Sequence, residues 1–284
     1  MSRLFDAHGH LNEKSMTPEE KERYIKGVEE ENMEGVMDVG YDLESSMKAV
    51  NHSEKYPWCY AVIGCHPHDS SGFDDIQLEM IKGLAKKKKV KAIGEIGLDF
   101  YRNISEPDIQ EHWFRKQIQL ANELKMPIVI HERDAVAKVM EILKEEGAFK
   151  KERASWFPER KGPDGEMLPD CRVMIHCFSA SREVALQYAA LGATISIAGP
   201  VTYKNNRKTV EVVEALPIEF MTVETDAPYL TPEPLRGRKN MSSNVRYTAQ
   251  KIADIKGMEY DEVVRITCEN AKRFFNIRET GNYT

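Results

Sequence analysis

Short, mostly apolar runs recur down the chain at residues 4–6, 36–39, 60–63, 91–96, 128–130, 173–175, 194–197 and 221–224. Runs of this length and character predict parallel strands covered on both faces. The stretches between them carry helical periodicity. Thr17, Pro18 and Glu20 predict a capped helix start, with Thr17 as N-cap and Glu20 closing a capping box. Ser105 and Asp108 predict the same device ahead of a second helix, whose apolar stripe is Phe114, Ile118, Ala121 and Leu124. Strands alternating with covering helices predict an α/β fold, and eight such strands fit a (β/α)8 TIM barrel better than an open sheet.

No internal repeat, low-complexity tract or linker interrupts this rhythm, so residues 1–284 are expected to form a single TIM-barrel domain. The longest departure is a polar, turn-rich segment at 148–170, with Gly162, Pro163, Gly165 and Pro169. It is expected to be a surface insertion that extends a βα connection or shapes substrate access. At 41% hydrophobic and 30% charged residues, the composition is that of a compact folded chain rather than a disordered one. The five cysteines form no CxxC pair, and their odd number argues for a reducing compartment. No stretch reads as a signal peptide or reaches the ~18–20 apolar residues needed to span a bilayer, so the expected location is cytoplasmic. A formal charge of −6 disfavours coating of long duplexes through backbone charge. The run KKKKVK at 86–91 enters a strand from its N-terminal side and reads as a solvated edge.

The strand ends carry the chemistry. LFDAHGHLN sets His8 and His10 two residues apart, so in extended backbone both point the same way. Glu95 lies in GEIGLD, His131 closes IVIH, His176 closes VMIH and Asp226 follows VET. A barrel gathers such positions at one rim. Each taken alone reads as a hydrogen-bonded polar residue. Together, four imidazoles and two carboxylates carry desolvation and like-charge costs that divalent cations relieve. The expected arrangement is two cations, one held by His8, His10 and Asp226 and the other by His131 and His176, with Glu95 bridging. Such a centre activates water for hydrolysis, with Asp226 taking a proton.

Possible phosphate donors flank it: His66 and His68 in GCHPHD, Arg102 in GLDFYR, Lys204, Arg207 and Lys208 in VTYKNNRK, and Arg236, Arg238 and Lys239 in PLRGRKN. Tyr101, Tyr203 and Tyr229 offer surfaces on which a base or sugar can stack. Cys65 and Cys177 read as core thiols rather than structural-zinc ligands.

The stretches FDAHGHL, IGCHPHD, KAIGEIGLDFYR, PIVIHERDA, HCFSAS, ISIAGPVTYKN, VETDAPYLTPEPLRGRKN and ITCENAKRFF resemble, in order, the signatures of the TatD family of metal-dependent hydrolases, over residues 3 to about 276. The resemblance implies a TIM barrel of the amidohydrolase-like superfamily. It also implies a deoxyribonuclease using two divalent ions, Mg or Mn in function with Zn able to bind, that removes nucleotides from a 3' end. Carried residue by residue, it implies metal ligands at His8, His10, Glu95, His131, His176 and Asp226, with Glu95 and Asp226 catalytic. His66 and His68, and then Arg102 and Lys204, would face substrate phosphate. The expected partner is DNA, as single strands or frayed ends, with no obligate protein partner. Gly9, Asn12 and Ala180 depart from the family's common Cys, Asp and Gly without removing a ligand. The rival readings are a metallohydrolase of a small phosphoester, amide or aminoacyl ester, and a non-catalytic nucleic-acid-binding barrel.

Overall fold

In the computed structural model, which describes residues 3–277, the strands are β1 (Phe5–Gly9), β2 (Gly35–Val39), β3 (Cys59–Ile63), β4 (Val90–Asp99), β5 (Ile128–Arg133), β6 (Arg160–Lys161), β7 (Met167–Leu168), β8 (Val173–Ile175), β9 (Thr194–Ile197) and β10 (Met221–Val223). The helices are α1 (Pro18–Glu30), α2 (Leu43–Lys55), α3 (Asp75–Leu84), α4 (Pro107–Glu123), α5 (Val136–Glu145), α6 (Lys151–Ala154), α7 (Arg182–Ala190), α8 (Arg207–Ala215), α9 (Val245–Lys256) and α10 (Tyr260–Phe274). Eight strands pair in the order β1-β2-β3-β4-β5-β8-β9-β10, all parallel, while β6 and β7 form a separate hairpin. The ring closes where β1 meets the end of β10. Gly9 bridges Ala227, the His10 N–H donates to the Ala227 carbonyl at 2.7 Å, and the Asp226 N–H donates to the His8 carbonyl at 2.8 Å. This is a (β/α)8 TIM barrel, and its closing seam carries three of the six expected metal ligands.

Strand alternation sorts the core into two layers. Phe5, Ala7, Met37, Val39, Val62, Ala92, Val129 and Met174 fill the barrel, plugged at one end by Phe274 and Phe275 of the α10 end. Ile63, Ile93, Ile128, Ile130, Ile175 and Ile195 face outward into the layer shared with the helices. Among the described residues, no helix is long and apolar enough to cross a membrane.

Two irregularities set the direction of site residues. The pairing of β1 with β2 slips between Asp6 and Gly9, and that of β4 with β5 slips between Ile93 and Ile96. An extra residue in a strand turns the following side chains to the other face. Asp6 accordingly bonds Ser242 outside the barrel, while His8, two residues on, lies against His176 and Glu95. Gly9 points outward again: a Cβ there would meet the Tyr24 hydroxyl at 2.7 Å. The buried tyrosine thus accounts for glycine at this position.

The capping box of α1 is present, with Thr17 Oγ1 accepting from the Glu20 N–H at 3.3 Å and Glu20 Oε2 from the Thr17 N–H at 2.9 Å. The start of α4 differs from the expectation. Its N-cap is Glu106, with no side-chain cap bond. Ser105 is occupied elsewhere, donating to the His68 carbonyl at 3.0 Å and accepting from the Ser71 N–H at 3.0 Å. The intended cap instead ties α4 to the loop after β3.

Residues 148–170 lead from α5 into β8, so they form an αβ connection at the N-terminal ends of the strands. They do not border the rim where the histidines collect. Buried arginines fasten this region to the barrel floor. Arg153 donates to the carbonyls of Cys171 and Met126 at 2.9 and 2.7 Å, and Arg160 to that of Ala193 at 2.7 Å. These acceptors immediately precede β5, β8 and β9. The lysine run at 86–91 lies at the same end, where Lys89 binds the carbonyls of Ser53, Tyr56 and Pro57.

One glycine controls the strand pair beneath the site. Gly97 has φ +150°, and a Cβ on it would lie 1.9 Å from the backbone oxygen of His131, its partner in β5. Gly97→Ala is therefore expected to cost about 3 kcal/mol or more, because the clash is with backbone that no side-chain rotation relieves. Thermal and urea unfolding would measure this, and a midpoint equal to the parent's would contradict it.

Candidate metal centre

Where β1, β4, β5, β8 and β10 end, the six expected ligands come together. Glu95 stands among them with its two oxygens facing different neighbours. Oε1 lies 2.7 Å from His176 Nε2, 2.8 Å from His131 Nδ1 and 3.5 Å from His66 Nε2. Oε2 lies 3.3 Å from His8 Nε2 and 3.9 Å from His10 Nε2. Asp226 Oδ1 approaches the same two imidazoles, at 3.2 Å from His10 Nε2 and 3.8 Å from His8 Nε2. His8, Glu95 and His131 lie within their strands rather than just past them, because β1, β4 and β5 run on to Gly9, Asp99 and Arg133.

Three overlapping groups bring ligand atoms within 4.8 Å of one another: His8, His10 and Asp226; His8, Glu95 and His176; and His66, Glu95 and His131. The first is a set expected from sequence. The third brings His66, expected to face substrate phosphate, to 3.5 Å from Glu95 at the centre itself.

Neighbouring groups fix the orientation of the rings. The Nδ1–H of His10 donates to the Val39 carbonyl at 2.7 Å, which directs Nε2 toward Asp226. His131 Nε2 lies 3.2 Å from Asp99 Oδ2, leaving Nδ1 for the Glu95 side. The same Asp99 oxygen holds His68 Nε2 at 2.8 Å, while Oδ1 accepts the N–H groups of Tyr101 and Arg102. Glu224 Oε1 accepts the Cys177 N–H at 2.6 Å and lies 3.4 Å from His176 Nδ1. Second partners of this kind hold a metal-binding imidazole in one tautomer and one direction. Asp6 anchors the seam below, accepting from both the Thr225 N–H and hydroxyl and from the Ser242 hydroxyl.

The electrostatics follow from this crowding. Burial would raise Glu95, yet the charges of His176 and His66 and the hydrogen bonds from His131 and His176 hold it well below the usual carboxylate range. Asp226 is likewise pushed up by burial but brought below its ordinary value by His10. Burial lowers His10, but the bond and charge of Asp226, helped by Glu95, outweigh it and set the ring at about 9. Burial and the charge of His176 depress His8. Asp6 is pushed up to about 7 by burial, against the hydrogen bonds it accepts. Asp226 itself sits at φ 55°, a left-handed conformation uncommon for a non-glycine residue and held here by its N–H bond across the seam.

A cation fits this donor set. Both ring nitrogens of buried His8 lack any hydrogen-bond partner, and Nε2 of His176 faces Glu95 Oε1 at 2.7 Å. Orphaned imidazole nitrogens beside carboxylate oxygens supply the mixed N/O ligands that divalent ions take.

The other expected contacts lie farther out. Arg102 and Lys204 are exposed on the loops after β4 and β9, and no hydrogen bond or ion pair fixes either side chain among the described residues. Lys239 turns to α1, where its ammonium binds Glu20 at 2.6 Å. Asp99 and Glu224 escape a reading limited to strand ends. Each nevertheless has a signal: an acid four residues after Glu95 on the same strand, and an acid two residues before Asp226.

Residues 5–276 match the family model described as TatD related DNase. An uncharacterized metal-dependent hydrolase, YabD of Bacillus subtilis, is 41% identical over 274 residues, covering 96% of this chain and 99% of the relative. The 3'-5' ssDNA/RNA exonuclease TatD of Escherichia fergusonii is 35% identical over 250 residues, covering 86% and 88% of the two chains. The crystal structure of YJJV, a TatD homolog from Escherichia coli, superposes with a TM-score of 0.82 at 23% identity, over 98% of this chain and 99% of the other, and so shares the fold. With a family match over nearly its whole length and a cluster of side chains suited to hold a metal ion at the barrel rim, the chain is a metal-dependent hydrolase and belongs to the TatD family.

Proposed function

We propose that the chain hydrolyses phosphodiester bonds at the 3' ends of single-stranded or frayed DNA, using two divalent cations, Mg or Mn in function, bridged by Glu95. The observation that carries this reading is the division of Glu95, with one oxygen toward His131, His176 and His66 and the other toward His8 and His10. His8, His10 and Asp226 would hold one ion and His131 and His176 the other, with His66 beside the second. Bound divalent ions lower the pKa of water and stabilise charge building on a phosphoryl group. Asp226 would accept the proton of an attacking water and return it to the leaving oxygen. Asp99 and Glu224 orient His131 and His176. His68, Arg102 and Lys204 are assigned to substrate phosphate. The E. fergusonii relative's name supports polynucleotide ends as substrate and 3' to 5' as polarity. The free cysteines suit work in the cytoplasm.

The direct test is release of nucleotides from 3'-labelled and 5'-labelled single-stranded DNA by metal-stripped protein, restored separately with Mg, Mn or Zn. Shortening from the 3' end that needs metal, and that falls at least ~100-fold in Asp226→Ala, is expected. Hydrolysis of amide or small phosphoester substrates, with DNA left intact by folded protein, would overturn the assignment in favour of a small-molecule hydrolase.

Metal affinity has a defined pH dependence. A cation on His10 Nε2 must displace the proton that Asp226 and Glu95 retain on that ring up to about 9. Competition by protons therefore weakens binding at low pH. Affinity is expected to rise about tenfold per pH unit for each proton released, and to level off once the ligand rings are neutral. Calorimetric Mn titration from about pH 6 upward would check this, and a flat profile would contradict it.

A further inference from the structure

Outside the histidine cluster, between α1 and the segment leading from β10 into α9, lies a cavity of about 430 Å³. Its walls carry Arg23, Arg238, Lys239 and Arg246 against a single carboxylate, Glu20. That carboxylate is already engaged by the Lys239 ammonium at 2.6 Å and the Thr17 N–H at 2.9 Å. Arg246 pairs with Glu31. Arg23 and Arg238 are exposed, and no ion pair or hydrogen bond holds either guanidinium among the described residues. In a chain of formal charge −6 this is a local reversal of sign, focused by a concave wall. Met16, Leu235 and Met241, with the Tyr247 ring, supply apolar surface. A ligand that satisfies both features has a flat, largely apolar body and at least one phosphate. The volume is within the ordinary range for a small-molecule site and accommodates one nucleotide.

The wall is also bonded to the catalytic segment. Asn240 lines the cavity and donates to the carbonyls of Thr225 and Tyr229 at 3.1 and 2.8 Å, on either side of Asp226. From the α1 wall, the Tyr24 hydroxyl meets Ser242 at 2.5 Å. Ser242 bonds Asp6 at 2.5 Å, and Asp6 accepts from Thr225 at 2.6 Å.

We propose that this cavity is a second, non-catalytic site for a nucleoside phosphate, with its phosphate on Arg23 and Arg238 and its base against the Met and Tyr247 surface. The ligand has two possible sources, a free mononucleotide or a flanking nucleotide of a bound strand. The second source rests on the polynucleotide reading above, whereas the site itself does not.

The test uses full-length, metal-loaded protein and AMP as probe. The variants are Arg23→Ala and Arg23→Ala/Arg238→Ala, whose side chains are exposed, and Asp226→Ala. The double substitution is expected to weaken calorimetric AMP binding about tenfold or more, and Arg23→Ala alone to weaken it while leaving hydrolysis of bis(p-nitrophenyl) phosphate unchanged. AMP binding should persist in Asp226→Ala. Should AMP fail to bind the parent, a raised KM in the double variant for a long oligonucleotide, with the dinucleotide unaffected, would assign the site to a flanking nucleotide. Equal AMP affinity and equal oligonucleotide KM in parent and double variant would overturn the site. So would inorganic phosphate binding as tightly as AMP, which removes the nucleoside. A protein that binds AMP through these arginines yet cleaves no DNA keeps the site and loses the exonuclease reading.

Discussion

The structure is organised around one buried carboxylate surrounded by imidazoles. Removing Glu95 from water costs several kcal/mol unless positive charge and hydrogen bonds replace its hydration. His176 and His131 supply part of that replacement at 2.7 and 2.8 Å through one oxygen, and His8 approaches the other at 3.3 Å. The same packing forces like-charged rings together, with His8 stacked on His176 at 3.9 Å between centroids. Neutral imidazoles around divalent ions relieve both costs, because each ring then turns a lone pair to a cation and no two rings need a proton. The chemistry assigned to the site and the electrostatic relief of the fold are thus two consequences of one arrangement.

That arrangement makes demands on the barrel. Two strand irregularities deliver His8 and Glu95 to the interior, and the closing seam fastens Asp226 to His8 through a backbone bond. Asp6, Asp99 and Glu224 each present a buried carboxylate to the surrounding backbone or rings. The opposite end does different work. There Arg153, Arg160 and Arg172 hold the 148–170 connection and the α10 end to the barrel floor, with Arg172 donating to the Phe274 carbonyl at 2.8 Å. Function and stability are thereby separated by face, as parallel barrels allow.

Much of this was legible because parallel strands buried on both faces must be apolar, and polar residues at their C-terminal ends stand out. His8, His10, His131, His176 and Asp226 are such residues, and the structure gathers them. What a one-dimensional pattern does not carry is partner choice. Ser105 has the side chain of an N-cap, but its hydroxyl serves the loop after β3. His66 reads as a donor toward substrate phosphate, and its approach to within 3.5 Å of Glu95 is visible only in three dimensions. Lys239 reads as a rim cation, yet its charge is spent on Glu20 of α1. Strand slips are equally silent, since neither is marked by an inserted residue type, and they decide which face His8 and Glu95 occupy.

The central claim is that Glu95 joins two cations. Electron paramagnetic resonance of Mn-loaded protein tests it most directly, because a shared carboxylate brings two Mn ions close enough to couple magnetically. Two Mn ions per chain with a coupled spectrum, replaced in Glu95→Gln by an uncoupled signal or lost occupancy, is the predicted result. A single, uncoupled ion in the parent protein at saturating Mn would contradict it.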